Sequence, residues 1–253
     1  MNDKQYQKRL EHLERVRERT NAHLEAHKKR INERLDRQQE KLQRKLTHKQ
    51  EEIINAGLKL LDEEGLESVT LRSVAKHLNM QAPAIYWHFK NKTNLLDFLA
   101  EAILQEEFPE LQARTDEPWD EWLVVMMHRL RKAMLSYKDG ARVVAGAHLY
   151  PAETLAKFMD VSMGSLVSAG LSIREADLIV STLVHFAFGR VIEEQSGPTP
   201  EELAQHNVSE ILRNFPYIEQ SVTQTQKMSG FTATTDFDDS LKLIIGGYKP
   251  KTN

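Results

Sequence analysis

Arg72, Gln81, Tyr86, His88 and Lys92 bring a guanidinium fork, a carboxamide, a phenol, an imidazole and an ammonium into one short run, TLRSVAKHLNMQAPAIYWHFKNK, from Thr70 to Lys92. Their shared chemistry is hydrogen bonding to nucleic acid. Arginine reads guanine and glutamine reads adenine through paired hydrogen bonds, while cations and hydroxyls grip phosphate and fix the register. Thr70 and Ser73 add hydroxyls that either donate to phosphate or cap a helix. Rival chemistries find no footing: the chain has no cysteine, no glycine-rich phosphate loop and no HExxH pair. His23 and His27 are four apart, but in a charged run that reads as a solvated helix face. No catalytic residue, metal-ligand set or cofactor is expected.

The spacing of apolar residues supplies the elements that position these groups. Leu71, Val74, Ala75 and Leu78 recur at threes and fours, which predicts a helix opened by Thr70 as N-cap and closed at Asn79. Pro83 suits the first turn of a second helix, where a missing N–H costs nothing. That helix carries Ala84 to Phe89, with Trp87 and Phe89 expected in the core. A preceding helix over 50–64 shows Ile54, Leu58 and Leu61 on one stripe and ends at Gly65, and a long apolar helix starts at Asn94.

Three helices and a connector, with the strings LLDEEGLESVTLRSVAKHL, PAIYWHFKNKTNLLD, LSYKDGARV and HFAFG followed by VIEEQ, resemble the TetR family over roughly residues 48 to 250. The resemblance implies an all-α homodimeric repressor. A helix-turn-helix DNA-binding domain would occupy 48–94, and a helical ligand-binding and dimerisation domain 95–253. Arg72, Gln81, Ala82, Pro83 and Tyr86 match positions that contact bases or phosphates in the family, and Tyr86, His88 and Lys92 suit phosphate positioning. Ala82 stands where tetracycline-binding members carry an amide, so the operator should differ, with a thymine methyl within reach of alanine. The partners implied are double-stranded operator DNA, a second copy of the chain and a small-molecule effector, with no membrane. Effector binding would shift the helix near 95–110 and swing the reading heads out of register with successive major grooves.

Family members that hold a magnesium–drug complex do so through histidine, asparagine and other polar side chains. An ungapped match from Lys92 through Gly146 places two of those histidines on Phe108 and Val144, the asparagine on Met126 and a neighbouring aromatic on Leu130. A threonine and an arginine become Ala147 and His148, and a carboxylate survives as Glu193. Without imidazole ligands a magnesium chelate is not expected. Phe108, Met126, Leu130, Val144, Ala147 and Leu149, with His148 as a polar handle, suit an apolar effector, or else pack a plain core.

The remaining sequence reads as helices near 95–110, 119–137, 151–169, 173–194, 200–213 and 237–247, punctuated by Gly140, Gly170 and Pro198. SGPTPEE and the polar stretch Ser221–Thr235 read as loops. In the family the fourth and sixth of these helices form a four-helix dimer interface, a role for Ile179, Leu183, Phe186, Leu241, Ile244 and Ile245.

Residues 1–47 depart from the family pattern. Residues 1–50 hold 15 Lys and Arg against 8 Asp and Glu, whereas the whole chain carries −3, so a basic end precedes an acidic body. Leu13, Leu24, Leu35 and Leu46 form one row of period eleven, and Thr20, Ile31, Leu42 and Ile53 another, which predicts a long helix with a narrow seam that pairs with another helix. Thr47 and Gln50 form a capping-box pattern, while the rows run on to Ile53, so continuity into the next helix stays open. This basic coiled-coil extension would contact DNA, its dimer mate or another protein. The absence of cysteine, signal peptide and long apolar run points to the cytoplasm. The rival class is an architectural or scaffolding DNA-binding protein that recruits a partner through the coil and has no inducer.

Overall fold

The computed structural model describes residues 48–112, 117–198 and 212–248. The chain divides into two compact units, Met1–Glu52 and Ile53–Asn253. The basic coiled-coil extension expected over residues 1–47, its Thr47 cap and the helix expected near 200–213 lie outside the described residues, apart from the last two positions, Leu212 and Arg213.

Every regular element among the described residues is a helix: α1 (His48–Glu64), α2 (Leu71–His77), α3 (Ala82–Tyr86), α4 (Lys92–Glu107), α5 (Trp119–Leu135), α6 (Gly140–Ala145), α7 (Glu153–Ser168), α8 (Ile173–Ser196), α9 (Pro216–Lys227) and α10 (Ala233–Gly246). The first three make a small head. Ile53, Ile54, Leu58 and Leu61 bury the stripe of α1, and Gly65 ends that helix with φ +88, a backbone that favours glycine. The absence of a side chain at Gly57 brings α1 close to α4, since an added Cβ would stand 3.0 Å from Leu99.

The body is a helical bundle. α4 packs against α5, α6 and α7, α8 packs against the same three, and α10 closes on α5 and α8. Capping boxes start α8 at Ser172 with Glu175 and α10 at Thr232 with Thr235, each satisfying two orphan donors. Leu99, Ile103, Leu123, Met127, Leu130, Val180, Leu183 and Phe237 are fully buried in it.

Two elements differ from the sequence expectation. Gly140, read as a break, instead opens α6: its amide bonds to the Tyr137 carbonyl and a Cβ there would fall 2.3 Å from the Met134 carbonyl oxygen. Part of the polar stretch expected as a loop belongs to α9, a helix with no buried residue, whose local hydrogen bonding rather than an apolar core face holds it. No helix among the described residues is long and apolar enough to cross a membrane.

Tyr137, in the α5–α6 turn, donates its phenol proton to Glu106 at 2.8 Å. Burial, then the bond and charge of Glu106, push its pKa up to about 12. A group raised in the folded state contributes stability that is whole below its ordinary value near 10 and is lost as pH climbs towards 12. Tyr137→Phe should therefore lower stability at pH 8 and flatten the alkaline limb between pH 10 and 12, measured by urea unfolding across that range. Gly140→Ala should cost about 1–3 kcal/mol in the same assay, as overpacking does.

Candidate functional site

Local bonds close both ends of α2 in the head. The Thr70 hydroxyl accepts the Ser73 amide at 3.0 Å while the Thr70 amide donates to the Ser73 hydroxyl at 2.9 Å, a closed capping box for α2. Ser73 also donates to the Ser68 carbonyl at 2.6 Å. Both hydroxyls thus cap α2. At the other end Asn79 takes φ 51, the Asn79 amide reaches Lys76 and the Met80 amide reaches Ala75 at 2.8 Å. This is the Schellman closure, and it fixes the angle between α2 and α3.

Pro83 lies in the first turn of α3 and Ile85 is its fully buried anchor. Phe89 is buried edge-to-face against Phe98, ring centroids 5.4 Å apart. Facing outwards are Arg72, Lys76, Gln81, Pro83 and Tyr86, with Ala82 and His88 half-buried. Arg72 and Gln81, of the residue types that read bases, are thus both exposed on the head.

Two expectations about the head are corrected. Trp87 is 89% exposed rather than core, because α3 ends at Tyr86 and the next residue falls outside the buried stripe. Lys92 does not stand free for phosphate: its Nζ donates to the Leu66 carbonyl at 3.1 Å and ties the start of α4 to the α1–α2 turn. Lys90, two residues earlier, is exposed.

In the body, Phe108, Met126, Leu130 and Val144 are all buried. Phe108 meets Phe158 of α7 edge-to-face at 5.3 Å, and the Arg129 guanidinium lies 4.7 Å above its ring. Arg129 and Lys132 also bind Glu107 at 3.0 and 2.7 Å, with a further bond from Arg129 to the Glu107 carbonyl. Burial pushes that carboxyl up, but the bonds from Lys132 and Arg129 outweigh it and hold the group below its ordinary range.

Three effector candidates sit differently from expectation. Leu149 is 52% exposed. His148 is occupied: its amide donates to Asp97 at 3.0 Å and its ring lies 3.2 Å from the same carboxylate, which is buried on α4. Glu193 projects to the surface and pairs with Arg190, whereas Glu194 faces inwards to Arg131 at 2.6 Å. Ala147 is half-buried. A residue the sequence reading missed is Ser162, one turn beyond Phe158 on α7; it is fully buried and its hydroxyl has no partner among the described residues. Burial of a lone serine in a helix leaves no signal in sequence.

Of the expected interface residues, Ile179, Leu183 and Leu241 are buried within their own chain, and Phe186 stacks on Phe237 at 5.5 Å. Phe186 is half-buried, so part of its ring stays accessible. Ile244 and Ile245 remain half-exposed, and the outward faces carry Leu178, Thr182, His185 and Gly189 on α8 and Leu243, 78% exposed, on α10.

Residues 53–98 match the family model of bacterial regulatory proteins of the tetR family, and residues 109–251 match that of the tetracyclin repressor-like C-terminal domain. The chain belongs to the TetR family. It is a DNA-binding transcriptional regulator with that family's C-terminal domain. Tetracycline repressor protein class C of Escherichia coli is 36% identical over 196 residues, which cover 77% of this chain and 88% of that one. The class A repressor from transposon 1721 is 40% identical over 145 residues, 57% of this chain and 66% of its own. A possible TetR family regulator from Streptomyces coelicolor A3(2) superposes with a TM-score of 0.66 at 29% identity, covering 77% of this chain and 96% of the other.

The opposite exposures of the two aromatics give a paired test. Trp87→Ala should weaken DNA binding several-fold and leave the melting temperature unchanged, because the indole touches little within the chain. Phe89→Ala should cost about 3–5 kcal/mol of stability. Fluorescence anisotropy with labelled duplex and thermal denaturation separate the two.

Proposed function

We propose that this TetR-family protein is a homodimeric repressor that sets α2 and α3 of each subunit into successive major grooves of a two-fold operator and is released by an apolar small molecule. The observation that carries the first half is the exposure of Arg72, Gln81, Tyr86 and Trp87 on a head whose α2 is closed by a capping box at Thr70 and a Schellman turn at Asn79. Arg72 and Gln81 read bases, Ala82 and Pro83 lie against them, and Tyr86, His88 and Lys90 hold phosphate. The exposed faces of α8 and α10 supply the surface for the second copy. Footprinting should show a short protected palindrome; uniform coating of DNA without sequence preference would favour the architectural reading. Arg72→Ala should relax base preference, and Lys90→Ala should weaken all sequences alike.

The effector half rests on four buried side chains, Phe108, Met126, Leu130 and Val144, at positions where chelating members of the family carry polar groups or an aromatic. None of the four donates a lone pair that magnesium prefers. With His148 held by Asp97, the polar handle passes to the unpartnered Ser162 hydroxyl, whose burial without a bond costs about 1–3 kcal/mol until a ligand acceptor or donor reaches it. A hydrophobic body with one hydrogen-bonding group fits this lining. At a hundred times its Kd such a compound stabilises the fold by about 2.7 kcal/mol. Thermal-shift measurements with acyl chains, lipophilic antibiotics and aromatic compounds should show that gain in the presence of EDTA. Stabilisation by tetracycline with magnesium alone would overturn the effector reading.

The eleven-residue rows of the N-terminal segment support a basic helical arm that adds phosphate contacts, and residues 1–47 form the extension before the reading head. Deleting residues 1–46 should weaken binding to every duplex and reduce the slope of log affinity against log salt by about 0.9 for each phosphate that the arm neutralises. An unchanged slope would restrict the arm to pairing with its mate or another protein. A bacterial cytoplasm is the compartment such a regulator requires.

A further inference from the structure

The α1–α2 turn of the head is gripped by the α5–α6 turn of the body, far away in sequence. The Leu66 amide donates to Asp139 Oδ2 at 2.9 Å, across 73 positions. Arg142 bridges Asp139 at 3.4 Å and Glu67 at 3.3 Å, joining the same two turns again. Gly65 is shaped for this approach, since a Cβ there would lie 2.9 Å from Asp139 Oδ2.

Asp139 is an unusual residue in this position. It takes φ 56, a conformation that costs a non-glycine residue energy, and although it precedes α6 its side chain does not cap that helix. Its carboxylate is directed to the head instead. Behind it, the Gln195 side chain near the end of α8 staples the turn: it accepts the Ala141 amide at 3.0 Å and donates to the Met134 and Tyr137 carbonyls at 3.1 and 2.8 Å. A continuous polar route therefore runs from α8, through Gln195 and the turn Tyr137–Gly140, to Leu66 and the head. It does not pass along α4.

We propose that the bond from Leu66 to Asp139, on a turn stapled by Gln195, sets the angle of the reading head on the body and with it the half-site spacing that the dimer accepts. Asp139 and Gln195 are positioning residues that touch no base. In a dimer joined through α8, the distance between heads is fixed by how rigidly each head follows α8. A one-base-pair change of spacing displaces and rotates a half-site about the duplex axis, and only a stiff head rejects it.

The inference rests on the dimeric operator-binding reading, so the test begins with the full-length wild type selecting a two-fold duplex from a random pool. Affinities are then measured for that duplex, for versions one base pair shorter and longer, and for a single half-site. Wild type should lose roughly tenfold on either spacing change, on the scale of one wrong base pair. Asp139→Gly removes the acceptor while accommodating φ 56, and should narrow the difference to about threefold or less while leaving half-site affinity unchanged; Gln195→Ala should do the same. Asp139→Asn, which keeps an oxygen for the Leu66 amide, should restore the discrimination. The proposal is overturned if Asp139→Gly and Gln195→Ala reject altered spacing as sharply as wild type, or if half-site affinity falls in parallel, which would make the bond a support of the head fold alone. If wild type selects only single half-sites or nothing, the regulator reading fails first and takes this inference with it.

Discussion

One residue, Leu66, is held on both sides of its α-carbon: its amide by Asp139 of the body and its carbonyl by Lys92 at the start of α4. A three-helix head of this size buries little surface of its own and gains rigidity from what it is tied to. The same turn contains Gly65, which ends α1, and leads to Thr70, which begins α2. Loss of the grip would leave both helix ends intact but free to pivot. Hydrogen bonds to charged groups contribute about 1.5–3 kcal/mol each, enough to hold an orientation and small enough for a ligand or DNA to compete with.

α4 carries the other set of ties, and nearly all of them are carboxylates. Asp97 holds the His148 amide and ring, Glu101 accepts the Thr154 amide and hydroxyl at 2.8 Å each, Glu106 receives Tyr137, and Glu107 binds Arg129 and Lys132. Asp97 and Glu101 are one helical turn apart and between them hold both ends of the segment 148–154. That segment follows Val144 and Ala147 in the chain. α4 begins at Lys92, and Lys92 holds the head. Polar contacts of α4 thus run from the segment 148–154 to the head, beside the separate set through Gln195.

What sequence revealed and what it hid follow a physical division. Thr70, Asn79, Pro83 and Gly65 were legible because caps and turns are local chemistry, decided by residues within a few positions. The apolar stripe of α1 was legible because its period is unbroken. Trp87 was not, since aromatic character argues for burial and only the early end of α3 turns the indole outwards. Gly140 reads as a helix end by composition, whereas the tight approach to Met134 makes it a helix start. The partners of Lys92 and His148, the Leu66 carbonyl and the Asp97 carboxylate, lie 26 and 51 positions away, and no spacing rule encodes them. Leu183 and Leu241 are covered by their own bundle, which only the packing of α5, α8 and α10 reveals.

The central claim, a dimer whose heads are held at one separation suited to successive major grooves, is open to a direct distance measurement. The chain has no cysteine, so Lys76→Cys on the exposed side of α2 places one spin label in each subunit. Double electron–electron resonance on the full-length protein should give a single narrow inter-subunit distance, of a breadth that changes little when a selected operator is added. An absent dipolar signal would contradict the dimer, and a broad distribution that sharpens only on DNA would contradict a head held rigidly by its own body.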